Sequence, residues 1–342
     1  MGKTFGKLPS GERLQRIQQS PNYKDGAFQN LSHTAVMRED ASFWKVLKDF
    51  TQKPPTVKPV LPLQVQHFDP AAMTDPSIVW FGHSSYLLKI AGFTLLVDPV
   101  FSNNASPVSL FAKAFAGTNV FKVADFGTID YVLITHDHYD HLDYETMLLL
   151  RDKVKHFYMS LGVGTHLEYW GIPKEKITEL DWWESAQINA TTSLTATPAR
   201  HFSGRGIKRA QTLWSSFVLK TDHGHYFLGG DSGYDTHFKT IGEKYGPFEL
   251  AILECGQYGA DWPNIHTTPE ETLQAALDLG AKTLLPVHWS KFVLAAHPWR
   301  EPVERLIAAA QGQPIQLITP SIGEVVALNE LPPQNAWWEQ LK

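Results

Sequence analysis

The hexapeptide His136-Asp137-His138-Tyr139-Asp140-His141 directly follows the apolar run Tyr131–Thr135. Such a run predicts a buried strand, which then delivers several metal-binding side chains into one loop. The two-residue period of an extended chain sends His136 and His138 to the same side, where both imidazoles can reach one metal ion. Asp140 and His141 come after the chain turns and can face a second ion nearby. The alternative, a solvated or metal-scavenging histidine tract, does not fit a position between a buried strand and a capped helix.

The composition limits which metal sites are feasible. The chain has 342 residues, of which 43% are hydrophobic and 19% are charged. That is an ordinary globular composition, enough for one large domain or two modest ones. The one cysteine, Cys255, excludes an internal disulfide and a zinc-thiolate framework, so nitrogen and oxygen ligands must hold any metal. The fifteen histidines can supply them, and imidazole with carboxylate suits zinc as well as iron or manganese.

Charge and hydropathy exclude several kinds of partner. The net charge of −5 gives no global basic field, so we expect no nucleic-acid partner. No stretch approaches the ~18 consecutive apolar residues that a membrane-spanning helix needs. The N-terminus lacks the apolar core of a signal peptide, so a cytoplasmic location is expected. These features leave the oligomeric state open.

Residues 1–76 are expected to form an extension packed on a main domain of residues 77–342. Two short helices are predicted near Glu12–Gln19 and Ala41–Thr51, followed by the proline-rich segment 54–76. Proline at that density disfavours helix interiors and central strands, which indicates an extended arm. The second helix carries an apolar stripe that we expect to pack on the main domain, with peripheral membrane contact as the alternative. The stripe consists of Phe43, Val46, Leu47 and Phe50.

From Ser77 onward, short β-type runs alternate with helical segments. Ala91-Gly92 and Asp222-His223-Gly224 are typical of hairpin turns. Helix starts are indicated at Asp143 and at Thr268, where Pro269 and Glu271 complete a capping box. The pattern predicts an α/β (α+β) protein with stacked sheets and helices outside them. The predicted strands are Ile78–Phe81, Tyr86–Ile90, Phe93–Val97, Tyr131–Thr135, His156–Met159, Ser193–Thr197, Leu213–Lys220, Tyr226–Gly229, Leu250–Leu253, Thr283–Val287 and Ile315–Ile318, and a last helix covers Glu301–Ala310.

The pattern His136-x-His138-x-Asp140-His141 after an apolar strand resembles the signature of the metallo-β-lactamase superfamily. The surrounding sequence from Ser77 to Pro302 is similar to one branch, the N-acylphosphatidylethanolamine-hydrolysing phospholipase D-like hydrolases. This resemblance implies a four-layer αβ/βα sandwich, with two mixed β-sheets flanked by helices, and two divalent metal ions per chain. Zinc is expected first, with iron or manganese as alternatives. The segments that carry the branch resemblance are residues 80–85 (WFGHSS), 97–102 (VDPVFS), 229–234 (GGDSGY), 245–250 (YGPFEL) and 287–289 (VHW).

The same resemblance implies the roles of individual residues. The first metal would be held by His136, His138 and His201, and the second by Asp140, His141 and His288. Asp231 would bridge the two ions, and Asp140 could also orient the attacking water or accept its proton.

Three further residues are implied near the site. His83 and Asp98 would orient ligands from strand ends, with a buried structural role as the alternative. His266 would act on the substrate, next to the N-terminus of the helix that Thr268 caps, unless it is a surface-loop histidine.

The substrate is the least determined feature. Arg200 and Arg205 lie in a basic segment around His201 and could bind an anionic substrate, although a solvated basic loop is the alternative. The resemblance to the phospholipase D-like branch implies a phosphodiesterase acting on a small-molecule or lipid phosphodiester. A lactonase or carboxylic ester hydrolase could use the same metal centre, and a non-catalytic metal-dependent binding protein is a third hypothesis.

Overall fold

The computed structural model describes residues 2–38, 40, 53–108 and 111–340. The predicted helix Ala41–Thr51 and its apolar stripe lie outside these residues. No helix in the described ranges is long and apolar enough to cross a membrane.

The N-terminal segment packs on the rest of the chain. It contains the helix α1 (Gly11–Gln19) and a hairpin of two short strands, β1 (Tyr23–Lys24) and β2 (Ala27–Phe28). Ile17 and Phe28 are buried in a small apolar cluster with Trp182 and Trp214. The boundary at residue 76 stays a prediction, because the packing crosses it.

Two seven-stranded sheets form the centre of the molecule. The first has the order β16-β3-β4-β5-β6-β7-β8, and the second has the order β15-β14-β13-β12-β11-β10-β9. Each sheet has three antiparallel and three parallel pairings, so both are mixed. The first sheet comprises β3 (Ser77–Trp80), β4 (Tyr86–Ile90), β5 (Phe93–Val97), β6 (Ile129–Ile134), β7 (Val154–Ser160), β8 (Ile177–Leu180) and β16 (Val325–Ala327). The second comprises β9 (Ser185–Gln187), β10 (Ser193–Thr197), β11 (Ser216–Thr221), β12 (Gly224–Leu228), β13 (Phe248–Glu254), β14 (Ala281–Val287) and β15 (Gln316–Leu317).

Helices cover the outer faces of the sheets. Thr268 caps one of them with the predicted capping box, in which its hydroxyl accepts from the Glu271 amide and the Glu271 carboxylate accepts from the Thr268 amide. The helices after α1 are α2 (Tyr144–Leu150), α3 (Gly164–Tyr169), α4 (His237–Tyr245), α5 (Pro269–Asp278) and α6 (Glu301–Ala309).

The core confirms the predicted fold class of two mixed sheets flanked by helices. One apolar cluster joins side chains of both sheets, among them Leu96 of β5 and Phe217 of β11. A second cluster packs Ile241 of α4 and Leu273 of α5 against the other face of the second sheet. The layers therefore run helix, sheet, sheet, helix.

The parallel strands place the predicted site residues at one edge of the sandwich. Asp98 directly follows β5, His136 comes two residues after the end of β6, and His288 directly follows β14. Asp231 comes three residues after β12. Since ligand sites of open parallel sheets lie at the carboxyl ends of their strands, this edge is where a site is expected.

Candidate metal centre

One group of possible ligands consists of His136, His138, His201 and Asp231. His138 Nδ1 lies 2.9 Å from His136 Nε2 and 3.2 Å from His201 Nε2. Asp231 Oδ2 lies 3.8 Å from His136 Nε2 and 3.7 Å from His201 Nε2. Ligands ~2.1 Å from a tetrahedral zinc ion are themselves roughly 3.4 Å apart, so these distances fit one ion.

A second group consists of His83, Asp140, His141 and His288, and Asp231 lies beside it. Asp231 Oδ1 is 3.1 Å from His141 Nε2 and 3.2 Å from His288 Nδ1. His141 Nε2 is also 3.5 Å from Asp140 Oδ2. Asp231 therefore contacts both groups, which is the position of a bridging carboxylate.

The hydrogen bonding of these atoms supports a cation between them. Among the described residues, His141 Nε2, His288 Nε2 and Asp231 Oδ1 are buried without a hydrogen-bond partner. Buried polar atoms are rarely left unpaired, and three of them clustered in one place fit a metal site. The donor set of imidazoles and carboxylates suits zinc, iron or manganese.

The protonation states follow from the surroundings. Burial lowers the pKa of His136, His201 and His288 well below its usual value, which favours the neutral form that binds metal. Burial opposes the charge of His141 too, but Asp231, Asp140 and Asp98 outweigh it and raise its pKa well above the usual value. The same three carboxylates would attract a metal cation beside His141.

Close backbone packing brings Asp231 to the site. A Cβ atom added at Gly229 would lie 2.6 Å from the Ile252 carbonyl oxygen. One added at Gly230 would lie 2.8 Å from the Thr135 Cβ. The two glycines therefore let the loop after β12 reach the end of β6, where the histidine cluster begins.

Other buried side chains form hydrogen bonds that orient the candidate ligands. Asp98 Oδ2 lies 2.7 Å from His141 Nδ1, and His83 Nε2 lies 2.8 Å from Asp140 Oδ2. His83, Asp98 and His288 have φ angles of 51°, 41° and 66°, in the left-handed region that is uncommon for non-glycine residues, although histidine and aspartate enter it more often than most. Such backbone clusters at active sites, where the surrounding structure enforces it.

His266 lies at the same face and has a partner that the sequence reasoning did not find. Its Nδ1 is 2.6 Å from Oε2 of Glu254, the last residue of β13. The His266 ring lies between those of His201 and His288, at centroid distances of 5.1 and 5.2 Å. Glu254 also accepts from the Ser232 amide, so it connects the His266 loop to the loop that carries Asp231.

The Glu254 carboxylate favours the protonated form of His266. Burial lowers the pKa of His266, but the Glu254 carboxylate outweighs it and raises that pKa to about 9. Burial raises the pKa of Glu254 to about 7, although its contact with His266 opposes the shift. The His266 side chain is 12% exposed, and its Nε2 has no hydrogen-bond partner among the described residues. This nitrogen is therefore free to donate to a ligand.

Asn30, in the N-terminal segment, is a second residue that the sequence reasoning missed. Its side-chain amide forms two hydrogen bonds with the backbone of His201. Nδ2 donates to the His201 carbonyl at 2.7 Å, and Oδ1 accepts from the His201 amide at 3.0 Å. Asn30 Oδ1 also accepts from the Trp214 indole. The N-terminal segment thus positions one of the candidate ligands.

The structure does not bring the two predicted substrate-binding arginines to this face. Arg205 is buried, and its guanidinium donates to the backbone carbonyls of Asp137, Leu142 and Thr4. Arg200 donates to Thr34 Oγ1 and to the carbonyl of Tyr234. Both guanidinium groups hold loops together through these hydrogen bonds.

Comparisons with known proteins agree with this geometry. A family model described as "Beta-lactamase superfamily domain" matches residues 94–289. An uncharacterised protein of Mycobacterium bovis is 39% identical over 94% of this chain and 88% of its own length. An N-acyl-phosphatidylethanolamine-hydrolyzing phospholipase D of Caenorhabditis elegans is 28% identical over 72% of this chain and 74% of its own. Igni18, a solved metallo hydrolase from Ignicoccus hospitalis, shares the fold with a TM-score of 0.55 at 22% identity, covering 74% of this chain and 98% of that one.

Proposed function

Since this chain is a metal-dependent hydrolase of the metallo-β-lactamase superfamily, we propose that it cleaves phosphodiester bonds with two metal ions. It belongs to the branch that resembles the N-acylphosphatidylethanolamine-hydrolysing phospholipases D. In this proposal His136, His138 and His201 would hold one ion, and Asp140, His141 and His288 would hold the other. Asp231, which lies near both ligand groups, would be shared between them. Zinc is the proposed metal, with iron and manganese to be tested beside it.

Divalent ions bound here would supply Lewis acidity and lower the pKa of a nucleophilic water. The protein residues orient the other reacting groups. His83 fixes Oδ2 of Asp140 at 2.8 Å, which orients this carboxylate to accept a proton from the water. His266 Nε2 can donate to a phosphoryl oxygen or protonate the departing alkoxide.

The observation that carries the phosphodiester proposal is the Glu254–His266 pair. A phosphodiester presents anionic oxygens, and the contact of His266 Nδ1 with Glu254 at 2.6 Å, which raises the pKa of His266, favours a proton on Nε2 that can be donated to them. A lactone or a carboxylic ester carries no charge that would need this environment, although the metal centre itself could open either.

Product analysis in heavy-oxygen water tests the proposal. N-acylphosphatidylethanolamine in detergent micelles and a lactone of matched chain length are supplied to separate samples. We expect release of phosphatidate that carries the heavy oxygen, because water attacks phosphorus, and little opening of the lactone. A protein with Asp140→Ala, expected to lose turnover, controls for contaminating lipases. Lactone opening without any phosphate product would overturn the phosphodiester proposal in favour of an ester hydrolase.

A further inference from the structure

Two segments that are distant in the sequence form one exposed patch of apolar and basic side chains. The apolar members are Phe5, Leu8 and Ile207, which are 46%, 47% and 103% exposed. We call this patch, with its exposed cations, the basic-apolar surface. Its cations are Lys3, Lys7, Lys208 and Arg209.

The N-terminal half of this surface is held in place. The Trp170 indole donates to the Lys3 carbonyl at 2.8 Å, and His166 Nδ1 accepts from the Lys7 amide at 3.1 Å. Arg205 donates to the Thr4 carbonyl at 2.8 Å. Since the backbone is tied at these points, Phe5 and Leu8 stay exposed in a fixed arrangement. Preformed exposed apolar groups of this kind usually mark an interaction site.

All charged side chains of the basic-apolar surface are positive. Residues 3–8 and 206–211 contain four cations and no carboxylate. Among the described residues, the four cations form no ion pair. The nearby Asp137 is buried and accepts from Thr212 and Gly204, so it does not neutralise them at the surface. This local excess occurs in a chain whose net charge is −5.

We propose that the basic-apolar surface docks on an anionic lipid bilayer. Lys and Arg around exposed Phe, Leu and Ile form the pattern of protein surfaces that lie in the bilayer interface, where the cations contact headgroups and the apolar side chains enter the acyl boundary. A cavity of about 460 Å³ between the two segments, lined by Phe5, Leu8 and Ile207, gives acyl groups room to enter. A nucleic acid could use the cations and Phe5 but would leave the aliphatic side chains of Leu8 and Ile207 in water, whereas a bilayer uses all of these groups.

The basic-apolar surface adjoins the hexapeptide of residues 136–141. The Phe5 ring packs edge-on against Tyr139 of the hexapeptide at 6.5 Å, and the Arg205 guanidinium lies 4.0 Å from the same ring. Docking would therefore hold the candidate metal centre close to the membrane interface. The inference does not depend on the proposed function, since a bilayer could recruit the protein whatever bond it cleaves.

Sedimentation with vesicles tests the inference on the full-length protein. The vesicles contain phosphatidylcholine alone or mixed with phosphatidylglycerol. We expect binding to the anionic vesicles that weakens with salt, and at least about tenfold weaker binding for Lys7→Glu/Lys208→Glu, because each basic residue contributes to attraction by an anionic leaflet. Ile207→Ser should also weaken binding. Val60→Ser/Lys239→Glu, which changes the same kinds of exposed side chain elsewhere, should bind like the wild type.

Three results would overturn the inference. The wild type could fail to bind anionic vesicles at low salt, or the surface variants could bind as well as the wild type. Competition by soluble glycerol phosphate would instead indicate a headgroup pocket. Hydrolysis of a soluble phosphodiester is measured in parallel, so a failure of docking is distinguishable from a failure of the proposed function.

Discussion

Asp231→Asn is expected to lower turnover on a soluble phosphodiester by more than about 10³-fold, because metal-ion catalysis contributes several kcal/mol of transition-state stabilisation. Asp231 is the carboxylate that contacts both ligand groups, with oxygens 3.1 Å from His141 and 3.7 Å from His201. An amide keeps the shape of the side chain but loses the negative charge that offsets two cations. Turnover and the metal content of the same preparation are the measurements.

Asp222→Asn is the matched control for this change. Asp222 lies in the exposed hairpin turn between β11 and β12, and its side chain is 57% exposed, so the same loss of charge there should leave turnover and metal content unchanged. If Asp231→Asn kept its metal and stayed within about tenfold of wild-type turnover, Asp231 would not be a bridging ligand.

His266→Gln is expected to lower turnover about 10²- to 10⁴-fold on substrates with a poor leaving group, the range that general acid catalysis contributes. The loss should shrink on a p-nitrophenyl phosphodiester, because that leaving group departs without a proton. Rates over a series of leaving groups measure the effect. His223→Gln, a change at a half-exposed histidine of the hairpin turn, is the control. An equal loss on every substrate would assign His266 to binding an oxygen rather than to protonation.

Glu254→Gln tests how the charge on His266 is maintained. The Glu254 carboxylate overcomes the burial that lowers the pKa of His266 and raises it to about 9. Without the carboxylate, burial prevails and His266 loses its proton at a lower pH. We therefore expect the alkaline limb of the kcat/KM profile to move to lower pH, with a loss of roughly 10- to 100-fold in rate at neutral pH. An alkaline limb at the wild-type position would show that His266 does not set it.

The local sequence pattern predicts much of this fold. The apolar runs before the hexapeptide and His288 form strands β6 and β14, and the Thr268 cap begins a helix as expected. The predicted hairpin turns also form. Strand β9 (Ser185–Gln187) was missed because it is short and polar, and only its pairing with β10 makes it a strand. Strand β16 pairs with β3 across most of the chain, a contact that no local pattern shows.

The candidate site residues also fall into two kinds, those that a local sequence pattern reveals and those that it does not. Ligand candidates at the ends of apolar strands carry a local signal, and the structure brings them together. Glu254 carries the same signal, a carboxylate at the end of an apolar strand, and could have been found. Asn30 has no signal, since its contact with His201 depends on how the N-terminal segment packs. Charge density near His201 also could not show that Arg205 turns inward to backbone carbonyls.

The metal content of protein purified without chelator or added metal tests the central claim most directly. Mass spectrometry of the untreated protein should find about two divalent ions per chain, zinc foremost, since Asp231 lies between the two ligand groups, 3.1 Å from His141 and 3.7 Å from His201. Fewer than about one ion per chain, with no activity regained on adding zinc, iron or manganese, would contradict a dinuclear hydrolase.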